Sequence, residues 1–446
     1  MDRLRKLAVR DDWRAAVAAA LGAGAVALSL RKLRRERARR ERLAGLRKLA
    51  LLPSETGAVL LMSPSTSTVT FFAGDPVAAA AALASRVADV AALNPWLASV
   101  LDYDDAGALA CFYPATVDAP LFRVVDAPLA RTTPYGAAVA AVAAALVATG
   151  EACAGTGAPL FRVSLVPDRD DPTGRFAVVV SASHVLVDGH GFYAVHNMLS
   201  KDATLRALSP ERRFDVPAKM RAAAGGEPSL MAACPPGFLA RFVFGQVWAA
   251  LFPRTVSAGF YVDAAWLAAQ KKRTRLPFVS TNDCVVSAFL NCLQPDCALM
   301  AVNFRGKLED FEGEDLAGNY EDLVTYTRGS YETPDLIRRS VAGPLYKRAG
   351  GRAPPSNVEH LGATYGAVTN WSTFARPLDL GRGAAQDLHL PLFDWPKACP
   401  ACVFGSLVLF RPSAGRVAAM VAGTRALVDA VLACGAAGAP LDAALA

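Results

Sequence analysis

The chain has 446 residues, with 47 Lys/Arg, 40 Asp/Glu and five histidines, a formal net charge of +7, and 53% hydrophobic against 20% charged residues. That is long enough for two core-bearing halves and too apolar for a disordered polymer, while the alanine content keeps a positive mean hydropathy from implying a membrane protein. Residues 1–48 hold 15 Lys/Arg against 5 Asp/Glu and the remainder 32 against 35, so the basic character belongs to the N-terminus and not to the body.

The N-terminal 50 residues read as a segment apart from that body. Residues 1–14 carry mixed charge, Ala15 to Leu30 are sixteen uncharged, mostly apolar residues, and Arg31 to Lys48 hold ten Lys/Arg. At about 1.5 Å rise per residue, sixteen fall just short of a comfortable bilayer span. Three readings stand. A short membrane anchor would have its following cations keep the body on the cytoplasmic side. An organelle-targeting segment is opposed by Asp2, Asp11 and Asp12. A basic helix would touch anionic lipid without inserting. Nucleic-acid binding is set aside, because no aromatic residues interleave the arginines.

The body alternates strands and helices, an α/β pattern. Thr68 to Phe72 reads as a strand and Ala78 to Leu93 as an alanine-rich helix ended by Pro95. Phe161 to Val166 and Phe176 to Ser183 read as a strand pair joined by the turn-rich Asp168 to Pro172. Residues 209–255, with their prolines and Gly-Gly, read as a crossover between a first half, 55–208, and a second, 256–446. Near the end, Val403 to Phe410 and Arg416 to Val421 form a hairpin around Ser413-Ala414-Gly415, followed by a helix.

The first strand pair runs into Ser181-Ala-Ser-His-Val-Leu-Val-Asp-Gly-His-Gly191, in which His184, Asp188 and Gly189 make the pattern His-x-x-x-Asp-Gly. A histidine where a buried strand hands over to a loop sits where catalytic groups are usually carried. An imidazole titrates near neutrality and can take a proton from a hydroxyl. Asp188 is too close in sequence to act as a second base across a substrate, so it is expected to tie the loop down through a buried ion pair. Gly189 is expected to let the backbone turn where a side chain would obstruct it. Chance would supply fewer than about 0.05 such matches in a chain with five histidines.

The pattern resembles the signature of the chloramphenicol-acetyltransferase-like superfamily of CoA-dependent acyltransferases, and the rest of the chain is similar to its BAHD branch. Phe278 to Asp283 with the apolar Cys284 to Leu293 resembles the opening of the second half in that family. Val302 to Leu308 with Gly318-Asn319-Tyr320 resembles its Arg-containing strand and following Gly-Asn, and Thr369-Asn370-Trp371-Ser372 its Thr-Ser-Trp run. Asp379-Leu380-Gly381-Arg382-Gly383 stands where the family has Asp-Phe-Gly-Trp-Gly; Asp379, Gly381 and Gly383 are kept, while Leu380 and Arg382 replace the aromatics. The resemblance covers roughly residues 55–446. It implies two similar halves, each a mixed β-sheet with flanking helices, around a channel, and transfer of an acyl group from acyl-CoA to a small-molecule alcohol or amine. It further implies His184 as general base, Thr369 as the donor to the oxyanion, Trp371 as a pocket wall and Arg305 as the partner of Asp188, in a monomer with no permanently bound cofactor. Condensation-type and wax-ester-type acyltransferases of the superfamily share the motif, but usually with paired histidines, and here Ser183 precedes His184. A catalytically silent ligand-binding or scaffolding relative is the reading from another class.

No metal site is expected. Cys399-Pro400-Ala401-Cys402 is a lone Cys-x-x-Cys, and His190 and His196 have no partner at metal spacing, so they read as core or solvated histidines. Nor is there a glycine-rich nucleotide fingerprint.

Overall fold

The computed structural model describes residues 31, 34 and 36–441, apart from 228, 229, 232, 233, 253, 344 and 399. Ala15 to Leu30, on which the anchor and targeting readings rest, and Cys399 lie outside the described residues. The chain divides into two units, Met1–Arg47 and Lys48–Ala446. In the first, residues 36–43 are helical and Arg37 pairs with Glu41 one turn on at 2.8 Å.

The second unit is built on two main mixed sheets, besides a small one that includes the antiparallel pair Val100–Tyr103 and Leu109–Tyr113. The five strands of the first are, in order, Ala385–Pro391, Thr66–Ala73, Arg175–Ala182, Phe161–Pro167 and Phe122–Val124, antiparallel except for the last pair. The β-branched run Val178-Val179-Val180 is fully buried, as a central strand covered on both faces requires. The alanine-rich helix Pro76–Leu93 begins two residues before its expected start because Asp75 caps it, accepting from the Val77 amide at 2.8 Å, and Pro76 takes the first position, where its missing N–H costs nothing. It is long and apolar enough to cross a membrane, but Ala79, Leu83, Val87 and Val90 are buried in the core beside the first sheet, so it is a core helix. At its end Asn94 and Trp96 bond the backbone of Leu208.

The second sheet runs Glu321–Tyr326, Cys297–Asn303, Tyr365–Asn370, Phe404–Ser413, Arg416–Gly423, Val256–Val262 and Ala437–Pro440. Tyr365–Asn370 is parallel to both its neighbours and the other pairs are antiparallel. Helices Thr281–Leu293 and Arg425–Ala433 pack on it, the first opened by a capping box between Ser280 and Asp283. The last hairpin turns at Gly415, whose φ of +74° favours glycine.

Two features depart from a simple pair of halves. Strand Ala385–Pro391, from the second half, completes the first sheet by pairing with Thr66–Ala73. Its Leu388 and Leu390 bury while its partner is relieved of an open edge. The 209–255 segment is also more than a connection. It contains helices Val216–Ala223 and Pro236–Leu251, and the second of these forms part of the cavity wall described below.

Candidate active site

His184 stands two residues beyond the end of Arg175–Ala182, held there by the Ser183 amide bonding the Leu160 carbonyl at 2.7 Å. The next three residues are buried, and Asp188 then caps helix Gly189–Asn197, one carboxylate oxygen accepting from the Gly191 amide at 2.9 Å. The other accepts from Arg305 Nη1 at 2.6 Å and from the Tyr320 amide at 3.0 Å. Arg305 follows strand Cys297–Asn303 and is buried with Asp188; its second amino group donates to the carbonyls of Leu316 and Gly318, and its guanidinium lies over the Tyr320 ring. Burial alone would raise the Asp188 carboxyl, but the guanidinium and the two amides hold it below the usual carboxylate range.

Gly189 fills a different role from the one expected. It sits in the first turn of its helix and is not among the residues with positive φ. A Cβ there would meet the Trp371 indole nitrogen at 3.4 Å and Phe374 at 3.8 Å, so its lack of a side chain leaves room at the cavity wall.

A second buried ion pair lies behind the histidine. Arg212 Nε donates to Glu55 Oε2 at 3.0 Å, both side chains being wholly buried, and Arg212 also donates to the Leu186 and Pro210 carbonyls. Glu55 Oε1 accepts from the backbone and side-chain nitrogens of Asn319 at 3.0 and 3.2 Å. Asn319 Nδ2 donates in addition to the His184 carbonyl at 2.8 Å, which leaves Oδ1 facing His184 Nδ1 at 3.0 Å. An amide oxygen can only accept, so Nδ1 carries the proton and Nε2 presents its lone pair. Gly318 lets this packing occur. Its φ is +108°, and a Cβ would fall 2.8 Å from the Arg212 guanidinium.

Nε2 faces Glu321 Oε1 at 3.5 Å. Glu321 opens strand Glu321–Tyr326 with a side chain only 14% exposed; burial raises its carboxyl to about 7, the nearby His184 and Arg305 offsetting only part of that. Both side chains line a cavity of about 260 Å³ between the sheets. Thr369, on the parallel strand Tyr365–Asn370, and Trp371, just past its end, line the same cavity. The remainder is largely apolar and includes Phe238, Leu239 and Phe242 of helix Pro236–Leu251. A neighbouring cleft of about 920 Å³ shares Pro64, Phe393 and Trp395 with it.

Of the residues read from the sequence, His184, Gly189, Thr369 and Trp371 meet at this cavity, with Asp188 and Arg305 paired beneath it. Asp379, Gly381 and Gly383 do not. Asp379 accepts from the Gly381 amide at 2.7 Å and pairs with Lys201 at 3.2 Å on the surface, and its carbonyl bonds the Lys201 amide. Gly381 and Gly383 have φ of +69° and +77°, and Leu380 is buried in the core in place of an aromatic. His196 is buried beside His389, and burial pushes it down to about 4, so it is a neutral core side chain; His190 lies edge-on to Phe374. Sequence reasoning missed Glu55, Arg212, Asn319 as a ligand of the histidine, and Glu321. For Glu321 a signal exists. The alternation of Glu321-Asp-Leu-Val-Thr-Tyr326 puts it on the face of Leu323, which is paired with the cavity residue Ala301.

The architecture is the two-lobed fold of chloramphenicol-acetyltransferase-like enzymes and condensation domains. Among solved structures, the chain is similar to TRI101 of F. graminearum complexed with coenzyme A and T-2 mycotoxin, at 14% identity and a TM-score of 0.54 over 86% of this chain and 96% of that one. It is similar also to the first condensation domain of the CDA synthetase (14%, 0.54, 88% and 98%) and to polyketide synthase associated protein 5 from Mycobacterium tuberculosis (14%, 0.50, 88% and 97%). No protein-family model and no curated protein matches the chain.

Proposed function

We propose that this chain transfers an acyl group from an acyl thioester, acyl-CoA in the first instance, to the hydroxyl or amine of a small molecule. The observation that carries this reading is the state of His184. Its Nδ1 proton is committed to Asn319, so the Nε2 lone pair faces, with Glu321 3.5 Å away, an apolar cavity that Thr369 also lines. Nε2 takes the proton of the acceptor as its oxygen or nitrogen attacks the thioester carbonyl, and returns it as the tetrahedral intermediate collapses and the thiol leaves. No acyl-enzyme forms. Glu321, ionised, stabilises the imidazolium produced on the way; the Thr369 hydroxyl donates to the oxyanion, a contribution of about 2.7–4 kcal/mol for such a donor. The largely apolar lining suits the acyl and thioester portions of the donor.

The fold similarity to TRI101, crystallised with coenzyme A and a mycotoxin, supports the thioester and the small-molecule acceptor. The test is incubation of the protein with a panel of acyl-CoAs and a cell extract, reading free thiol and new esters or amides by mass spectrometry. Thiol release that depends on both extract and His184 supports the reaction; no release from any donor, with the protein folded, points to the silent relative.

A further inference from the structure

Helix Pro236–Leu251 has two apolar faces. One carries Phe238, Leu239 and Phe242 into the cavity. The other points outward with Val243, Phe244, Val247, Trp248 and Leu251, continued by Phe252, each between 42% and 67% exposed. These residues recur at intervals of four, so they form two parallel rows on one side of the helix, and Phe244, Trp248 and Phe252 stack successively at 5.9 and 4.7 Å. At the other end of the helix the turn Glu359–Leu361 packs against it with exposed Leu361 and, just before it, Val358. An apolar strip of this size on a folded chain marks a contact.

We propose that this face docks on a lipid bilayer with anionic headgroups. Charge argues for lipid over a second protein. From Glu227 to Asp263 the chain has no carboxylate between, only Arg241 and the exposed Arg254, so the helix itself sets no negative charge against an acidic surface; the exposed Glu359 stands on the turn at its other end. The same chain carries ten Lys/Arg from Arg31 to Lys48, net charge for the same headgroups. Aromatic side chains flanking an aliphatic row on a helix with low charge suit the headgroup boundary, where rings seat and the helix lies flat. Docking sets the outer side of the cavity wall against lipid. That a lipophilic acyl chain or acceptor then enters from the bilayer rests on the proposed reaction, whereas the docking does not.

The test uses the full chain with vesicles of phosphatidylcholine containing phosphatidylserine. Hydroxyl-radical footprinting should show Phe244, Trp248 and Phe252 protected when vesicles are present. The triple variant F244S/W248S/L251S, whose residues are exposed and do not line the cavity, should lose at least roughly tenfold in vesicle co-sedimentation while melting as the parent does. Co-sedimentation with an unchanged footprint would mean that the N-terminal arm alone binds, and would overturn the proposal, as would no co-sedimentation at all. A parent that is dimeric without lipid, made monomeric by the variant with vesicle binding unaltered, would assign the face to self-association instead. Should the variant not fold, the footprint on the parent still decides, and neither readout depends on acyl transfer.

Discussion

Asp188, wholly buried at the end of the histidine loop, and Glu321, largely buried beside His184, are carboxylates driven in opposite directions. Asp188 meets a guanidinium and two backbone amides and is held below the usual carboxylate range; for Glu321 the nearby His184 and Arg305 offset only part of the burial, which pushes it up to about 7. Burial is common to both, so the partners decide the charge. The difference separates architecture from chemistry: the satisfied carboxylate fixes the loop, and the strained one is left poised beside the reacting nitrogen.

The largest effect tests the chemical side. His184→Ala should lower the transfer rate on the order of 10²–10⁴-fold with melting temperature and thioester binding retained, since the base acts in the transition state. A wild-type single-turnover rate in that variant would dissolve the distinction. On the architectural side, Asp188→Ala leaves Arg305 buried without its anion and should destabilise by about 3–5 kcal/mol, read from a denaturant midpoint; activity should fall through the displaced loop. Gly318→Ala probes the same architecture from the Arg212 side and should destabilise strongly, because the new Cβ meets the guanidinium in a backbone region unfavourable to any side chain.

The Glu321→Gln change is smaller and depends on pH. Ionised above about 7, the carboxylate supports the imidazolium, so the variant should lose roughly tenfold in rate at pH 8 and little at pH 5. Stability carries the opposite sign for the two carboxylates. Glu321, raised in the folded state, binds a proton that the unfolded chain has lost, so its contribution is intact below its usual 4.5 and declines as pH rises through about 7. Asp188, lowered, contributes above its usual 3.8 and is lost as pH falls through its depressed folded value. Melting curves should show the decline between 4.5 and 7 reduced in Glu321→Gln; an unchanged profile would mean that Glu321 is as solvated as an ordinary glutamate. The smallest effect belongs to Asp379→Ala, on the surface away from the cavity, which should leave the single-turnover rate within error.

Much of the frame was legible because its signals are local. The strand pair ahead of His184, the capped alanine helix and the last hairpin each announce themselves in their own residues, and the resemblance brought Arg305 and Thr369 to the site. What was not legible comes from far along the chain. Glu55 reaches Asn319 across 264 positions, and nothing near either residue distinguishes it from a surface polar group. Gly189 looked like a turn glycine because its neighbour Trp371 is 182 positions away, and only the packed structure shows the space it keeps. Strand Ala385–Pro391 was missed for the same reason, its leucines alternating as a strand's do but its partner sheet lying in the other half.

That last strand has a consequence for how the protein is made. Thr66–Ala73 leaves the ribosome early, folds against Arg175–Ala182, and then waits with one hydrogen-bonding edge bare until some two hundred further residues have been synthesised and Ala385–Pro391 arrives. The N-terminal half expressed alone would keep that edge open to other nascent chains, so the two halves are bound to a common birth, as the core cluster that joins Val69 and Val179 to Val408 and Met420 also requires.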